Sequence, residues 1–384
     1  MAASPTIALV GVGAMGGLTL GMLRSHLPQA RLIAVDRDPR AAATKEAEAE
    51  FHLLDVKDSD LPLEGCDLVL NTAGPFFGCS APVAEAAIDA CSDYLDICDD
   101  AEGTRAVLKL DDAARRAGVT VVTGAGFAPG LSNAMGAWLV GEHDDLDGIE
   151  VAWALRNNTD FSGFAPLQHM MHMAMNPCPQ WRDGDVVQTP GFRPETGKSY
   201  RFPEPVDDFT CFDTAHPEPL TLPIAFPRLR TVTCKGGLMP AWINGAFAGA
   251  ARLGFGYSDL TVEFDGLSIN AQEFLWRTIR AQRATYAASE GPDLTTVVVT
   301  GYCGDEQLDA LALIDHAHFG RATAVGLVAY TLVALAKRTA PGAYGPEIFD
   351  PDQVLESLAC VSAAEHAFPG GVLRAGGAGF ERLS

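Results

Sequence analysis

Gly11-Val12-Gly13-Ala14-Met15-Gly16 lies directly behind a compact apolar run, Ile7–Val10, and opens a helical stretch from about Ala14 to Leu27. A strand that turns on glycines into a helix presents helix N-terminal amides and a partial positive charge to an anion. Gly11 permits the tight turn, Gly13 lets the backbone approach a pyrophosphate, and Gly16 allows close helix–strand packing, with Ala14 and Met15 between them. Bare glycine-rich turns are common. Specificity here comes from Asp36, twenty positions beyond Gly16 at the end of the next apolar run, Leu32–Val35. The pattern predicts a dinucleotide site.

The rest of the N-terminal third repeats the strand–helix alternation. Phe51–Leu54, Asp67–Thr72, Tyr94–Cys98 and Val119–Thr123 read as strands, with helices beginning near Pro39, through Val83–Cys91 and around Arg105–Ala117. Six such runs predict an α/β fold with an N-terminal Rossmann domain, a doubly wound parallel sheet. From Ile149 the pattern changes to strands at 149–155, 230–236 and 294–302 separated by Pro- and Gly-bearing segments, with a long helix over Asn270–Ser289. This predicts a second, α+β domain on a mixed or antiparallel sheet. The expected division is 1–132 for the dinucleotide, 133–324 for substrate and dimerisation, and 325–384 packing back on the first domain.

Asp36 is expected to accept from the adenosine ribose hydroxyls and to repel a 2′-phosphate, which favours NAD; Arg37 beside it can bind a 2′-phosphate or stack on adenine, so NADP stays open. Asp55 and Val56 lie where such folds cover the adenine, although Asp55 reads equally as a loop residue. Thr72, Ala73, Gly74 and Pro75 end a strand at the expected switch point and either pass the ribose and nicotinamide or form a simple turn. Gly126 and Pro129 shape a turn toward nicotinamide or substrate, where Ser132 or Asn133 can also act as a helix cap. Strand alternation sends Asp96 and Cys98 to one face. Asp96 is thereby an acid/base candidate, or a buried carboxylate satisfied by backbone amides, and Cys98 is expected beside the cofactor.

Composition enters as exclusion. A formal net charge of −22 disfavours nucleic acid and anionic membrane as partners. Nine cysteines without a C-x-x-C pair read as free thiols in a reducing compartment, Met1–Pro5 carries no cationic leader, and the apolar stretch Ala324–Ala336 is too short to span a bilayer. A cytoplasmic enzyme is expected. His169 and His172 share a helical face but lack a matching carboxylate motif, so no metal is expected.

Taken together, GVGAMG, NTAGPF, YLDICDD (94–100), GAGFAPGLSN (124–133), HPEPLTLP (216–223), GRATAVGLVAYTLVALAKR and GPEIFD (345–350) resemble the saccharopine dehydrogenase/reductase-like family over most of the chain. The resemblance implies a Rossmann domain with an inserted α+β substrate domain. It also implies NAD(P)-dependent interconversion of amine and imine on an amino-acid-like substrate, and a homodimer. It further implies that His169 touches substrate, because a histidine falls there. For a substrate carboxylate, Arg156 and Lys235 are the expected clamp, with Arg230 a lesser candidate; His216 in HPEP reads as structural. A C=C (enoyl-type) reductase on the same fold and a redox-silent NAD(P)-binding sensor or scaffold are the rival functions.

Overall fold

The computed structural model describes residues 4–41, 47–57, 60–157, 164–376 and 379–383, with 283–290 described for the backbone alone. The glycine corner organises the first half. Strand β1 (Thr6–Val10) is fully buried from Ile7 to Val10, as a strand covered on both faces by helices must be. Gly11 follows at φ +88°, where a Cβ would lie 2.5 Å from the Ala73 backbone nitrogen, so only glycine makes this turn. Helix α1 (Ala14–His26) starts after Gly13 and ends with Arg24 and His26 in its last turn, where cations complement the helix dipole.

The chain continues through β2 (Arg31–Asp36), β3 (Glu50–Leu53), β4 (Leu68–Asn71), α2 (Phe76–Asp89), β5 (Asp93–Asp96), α3 (Ala101–Leu108), α4 (Asp111–Ala117) and β6 (Thr120–Val122). The strands form one sheet in the order β3-β2-β1-β4-β5-β6, every pair parallel. This is the doubly wound arrangement, reversing direction between β1 and β4. A seventh parallel strand, Gly342–Tyr344, joins beside β6. The helix expected near Pro39 falls largely on residues 42–46, outside the described residues.

Helix α5 (Leu131–Glu142) leads to the second sheet. Its elements are β7 (Gly148–Arg156), α6 (Ala165–Met175), β8 (Pro177–Arg182), β9 (Asp185–Pro190), β10 (Lys198–Arg201), β11 (Asp208–Asp213), α7 (Glu218–Ala225) and β12 (Thr231–Leu238). There follow α8 (Trp242–Ala250), the hairpin β13 (Thr261–Phe264) and β14 (Leu267–Asn270), α9 (Ala271–Glu290), β15 (Leu294–Cys303) and β16 (Glu306–Asp315). The sheet runs β10-β11-β12-β7-β15-β16, extended by two late strands, with β8 and β9 branching from β12. It is mixed: β12 and β7 pair parallel, their neighbours antiparallel. Its central strands are buried on both faces. Val151, Trp153, Val297 and Val299 belong to the main core, and Ala152, Ala154 and Val298 to a smaller one.

The last elements are α10 (Phe319–Ala336), β17 (Gly342–Tyr344), α11 (Pro351–Glu365), β18 (Leu373–Gly376) and β19 (Gly379–Arg382). Helix α10 has the length and apolarity to cross a bilayer, but it is mostly buried, packed against α1 and α11. The tail corrects the expectation for 325–384. Strand β17 joins the first sheet and α10 packs on α1, whereas β18 pairs with β16 of the second. Nothing local distinguishes a strand that returns to one sheet from a strand that closes the other.

Candidate active site

The first requirement of a dinucleotide site is room at the glycine corner. A Cβ on Gly13 would meet no atom within 4 Å, whereas one on Gly16 would fall 1.9 Å from the Gly11 carbonyl oxygen and 2.6 Å from Thr72 Oγ1. Gly16 is thus filled by the protein itself, and the space above Gly13 is left open. No side chain caps α1, so its first amides face that space free to bind an anion. Asp36 at the end of β2 accepts from the Val12 amide at 2.5 Å and the Asp38 amide at 2.8 Å, which holds its carboxylate at the rim of the corner. Exposed Arg37 pairs loosely with Asp55 at 3.6 Å, and Val56 packs at the edge of the β-sheet core. These residues fit a nicotinamide dinucleotide.

Beyond the corner, a cavity of about 500 Å³ opens at the C-terminal ends of β1, β4 and β5. Met15, Thr72, Gly74, Pro75, Gly126 and Pro129 form its near wall. Thr72 donates to the Gly11 carbonyl at 2.5 Å, and Ala73 N donates to Asn71 Oδ1, so this wall is tied to the corner. The far wall comes from the second sheet and the helices that cover it, with Trp153, Trp242 and Trp276 among mostly apolar side chains. Trp153 stands in the sheet because its parallel neighbour is Gly236; a Cβ there would lie 2.0 Å from the indole.

Between the walls sits an acid–imidazole cluster. Asp99 and Asp100 follow β5, His169 and His172 lie on α6, and His216 precedes α7. His169 is 7% exposed and His216 4%. His169 Nε2 is 3.4 Å from Asp99 Oδ2, and its Nδ1 is 3.6 Å from Asp100 Oδ2. Burial alone would push the imidazole down, but the two carboxylates outweigh it and hold His169 above the ordinary histidine range. Asp100 also caps α3 through the Glu102 and Gly103 amides, and its second oxygen lies 3.6 Å from His172 Nε2. Burial would raise the Asp100 carboxyl, yet His169 and the cap hold it below the usual range. His216 stacks on Trp153 at 5.2 Å, with its Nδ1 3.7 Å from Glu218 Oε2. Glu218 is wholly buried and accepts from Ser132 Oγ at 2.9 Å. Asp99, His169 and His216 all face the cavity. Their donor atoms lie within 4.8 Å of one another, as do those of His216, Glu218 and Cys234, close enough in each case for one divalent ion.

Several expected residues lie elsewhere. Asp96 is fully buried, accepting from the Cys98 and Gly124 amides, Thr123 Oγ1 and the Tyr94 hydroxyl. Burial raises its carboxyl despite these bonds. It braces the loops and does not line the cavity. Cys98 is also sealed in, against Asp100 O and Thr104, with burial pushing its thiol well above its ordinary range. The alternation argument failed because β5 ends at Asp96; past that point the chain turns, and Asp99 reaches the cavity instead. Lys235 is buried in an ion pair with Asp213 and donates to the Thr196 carbonyl at 2.7 Å. Arg156 donates to the Pro292 carbonyl at 2.8 Å. Neither lines the cavity, so the expected carboxylate clamp is not there. Arg230 lies at the start of β12, 3.5 Å from exposed Asp183.

Sequence reasoning gave Asp99 no role and took His216 as structural. The available signals were the acidic pair just beyond a strand end and the His-x-Glu spacing of HPEP. Ser132 serves Glu218, whereas Asn133 does cap α5, accepting from the Gly130 amide at 2.8 Å.

Residues 7–122 match the family described as saccharopine dehydrogenase NADP binding domain. That match covers the dinucleotide-binding domain alone. The whole chain also superposes on the apo saccharopine dehydrogenase (L-Glu forming) of Saccharomyces cerevisiae. The TM-score is 0.65 at 14% identity, covering 97% of this chain and 99% of that one. At that identity the likeness establishes a shared fold. More distant are an amine dehydrogenase from Mycobacterium smegmatis (TM-score 0.46, 11% identity, 92% and 96% covered) and GenD2 from gentamicin A biosynthesis in complex with NAD (TM-score 0.42, 15% identity, 98% of each chain). No curated protein matches the sequence. This saccharopine dehydrogenase-like chain therefore has the fold of an NAD(P)-dependent oxidoreductase.

Proposed function

We propose that the protein exchanges a hydride with a substrate carbon that bears nitrogen. One observation carries this reading: His169, Asp99 and His216 face the cavity that adjoins the glycine corner. A bound nicotinamide dinucleotide supplies the hydride donor or acceptor. The chain's own residues have three tasks. The α1 amides and Asp36 hold the dinucleotide, with Asp36 favouring NAD by repelling a 2′-phosphate. The aromatic far wall excludes water from the reacting carbon. His169, whose charged form Asp99 and Asp100 favour, donates a proton to substrate nitrogen in the reductive direction and takes it back in the oxidative one, with His216, backed by Glu218, beside it to position the substrate.

The test is cofactor turnover by the purified full chain with amines, with paired carbonyls and ammonia, and with enoyl thioesters. Turnover with the first two groups, lost in His216→Ala and His169→Gln, is expected. Reduction of enoyl thioesters alone would assign a C=C reductase, and tight cofactor binding without any turnover would assign a sensor. Nine unpaired thiols support a cytoplasmic site of action. Exposed Val262, Phe264, Leu267 and Phe274 on β13–α9 support a homodimer, since monomers rarely leave so much apolar surface in one place. Sedimentation at twice the chain mass is the expected result.

A further inference from the structure

We infer that the substrate is a monoamine with a bulky apolar body and no carboxylate. This deepens the hydride-transfer reading and rests on it. Among the described residues lining the cavity there is no lysine or arginine, and the one carboxylate is Asp99. The nearby cations are engaged elsewhere: Lys235 by Asp213, Arg156 by the Pro292 carbonyl, and Arg321 by a two-pronged bond to Asp315. Arg280 sits 5.0 Å over the Trp276 ring rather than in the lining. An amino-acid carboxylate entering this cavity would lose water and meet no lysine or arginine, and the one cationic lining group, His169, is already engaged by Asp99 and Asp100, so the transfer is strongly unfavourable.

An ammonium group meets the opposite situation. Asp99 lines the cavity with its side chain 33% exposed, and its buried Oδ1 has no hydrogen-bond partner among the described residues. Trp153, Trp242 and Trp276 add aromatic apolar surface to the lining. Met170, Met171 and Met239 complete a wall of unbranched, polarizable side chains that adapts to ligands of varied shape. A cavity of about 500 Å³ accepts a body far larger than a methyl or ethyl group.

The experiment is calorimetric titration of the full chain, saturated with NADH to block turnover, using butylamine, hexylamine, octylamine, hexan-1-ol, hexanoate and L-glutamate. Affinity should rise about fourfold per methylene along the amine series, the value of burying each group in an apolar site. Hexanoate and L-glutamate should bind at least about tenfold more weakly than hexylamine, a single buried charge contact being the difference. In Asp99→Asn, hexylamine should weaken about tenfold while hexan-1-ol is unchanged. Equal or tighter binding of hexanoate or L-glutamate, or an equal loss of amine and alcohol in Asp99→Asn, would overturn the inference. Its failure is separable from that of the underlying reading. Amines that bind as described but never reduce NAD sink the hydride-transfer reading and leave the binding chemistry standing. Turnover of an amino acid in preference to amines does the reverse.

Discussion

Gly13→Val isolates the dinucleotide argument from the stability of the fold. Gly13 precedes α1 at φ −74° and ψ −152°, extended backbone that valine adopts readily, and a Cβ there touches nothing. The cost to the protein is that of a poor N-cap residue, about 0.5–1 kcal/mol. At roughly 2–4 °C per kcal/mol for domains of this size, the melting temperature should fall by no more than about 4 °C. The cost to the ligand is far larger. A branched side chain over the helix N-terminus displaces the pyrophosphate from the α1 amides, and each charge-assisted hydrogen bond lost is worth about 1.5–3 kcal/mol. Losing two gives about 3–6 kcal/mol, or roughly 10²- to 10⁴-fold in Kd. Gly16→Val is the contrasting perturbation. Its Cβ would overlap the Gly11 carbonyl and Thr72 Oγ1, so the corner itself must open and stability should fall much further. Calorimetric titration with NAD and NADP, beside thermal melts, reads both quantities. A folded Gly13→Val protein binding within about threefold of wild type would refute the claim that this space receives the phosphates.

Asp36→Ser should raise the NADP-to-NAD affinity ratio by about tenfold or more, as one charge repulsion is removed; a wild type that already prefers NADP would reverse the roles given to Asp36 and Arg37. The His169 contact joins α6 to the loop after β5, and His169 is raised above its ordinary value of 6.5. Its stabilising effect is therefore complete below about that pH and lost as pH rises through the higher folded value. Depression of the Asp100 carboxyl closes the window at the acid end. Thermal melts of wild type and His169→Gln should differ most below the ordinary histidine value of 6.5 and draw together as pH rises above it; a constant difference would show that the ring acts by shape alone. Asp96→Ala strands four donors and should cost about 3–5 kcal/mol of stability, with cofactor affinity per folded molecule unchanged. Dialysis against EDTA should leave turnover unaffected, because the cluster is assigned to proton transfer. Loss of turnover restored by zinc would reassign Asp99, His169 and His216 as ligands.

How far the site was legible follows from the range of the forces involved. The glycine corner, Asp36 and the six-strand alternation were readable because each rests on backbone geometry or side-chain periodicity within a few residues. Alternation along Tyr94–Cys98 misplaced Asp96 and Cys98 because its validity stops where the strand stops, and residues 97–100 follow the loop. Charge was the hardest property to read. Arg156 and Lys235 look like available cations in a linear chain, and only folding reveals that Asp213 and the Pro292 carbonyl already hold them.

The order of residues alone therefore determined the phosphate-binding turn and the parallel sheet around it, since sterics at φ, at Cβ and along the strand act locally. Tertiary structure decided the cavity. Asp99, His169, His216 and the tryptophans come from segments far apart in the chain, and their adjacency depends on how two sheets meet. The sign of charge a substrate encounters is set there as well, because burial and pairing determine which ionised groups still act on their surroundings.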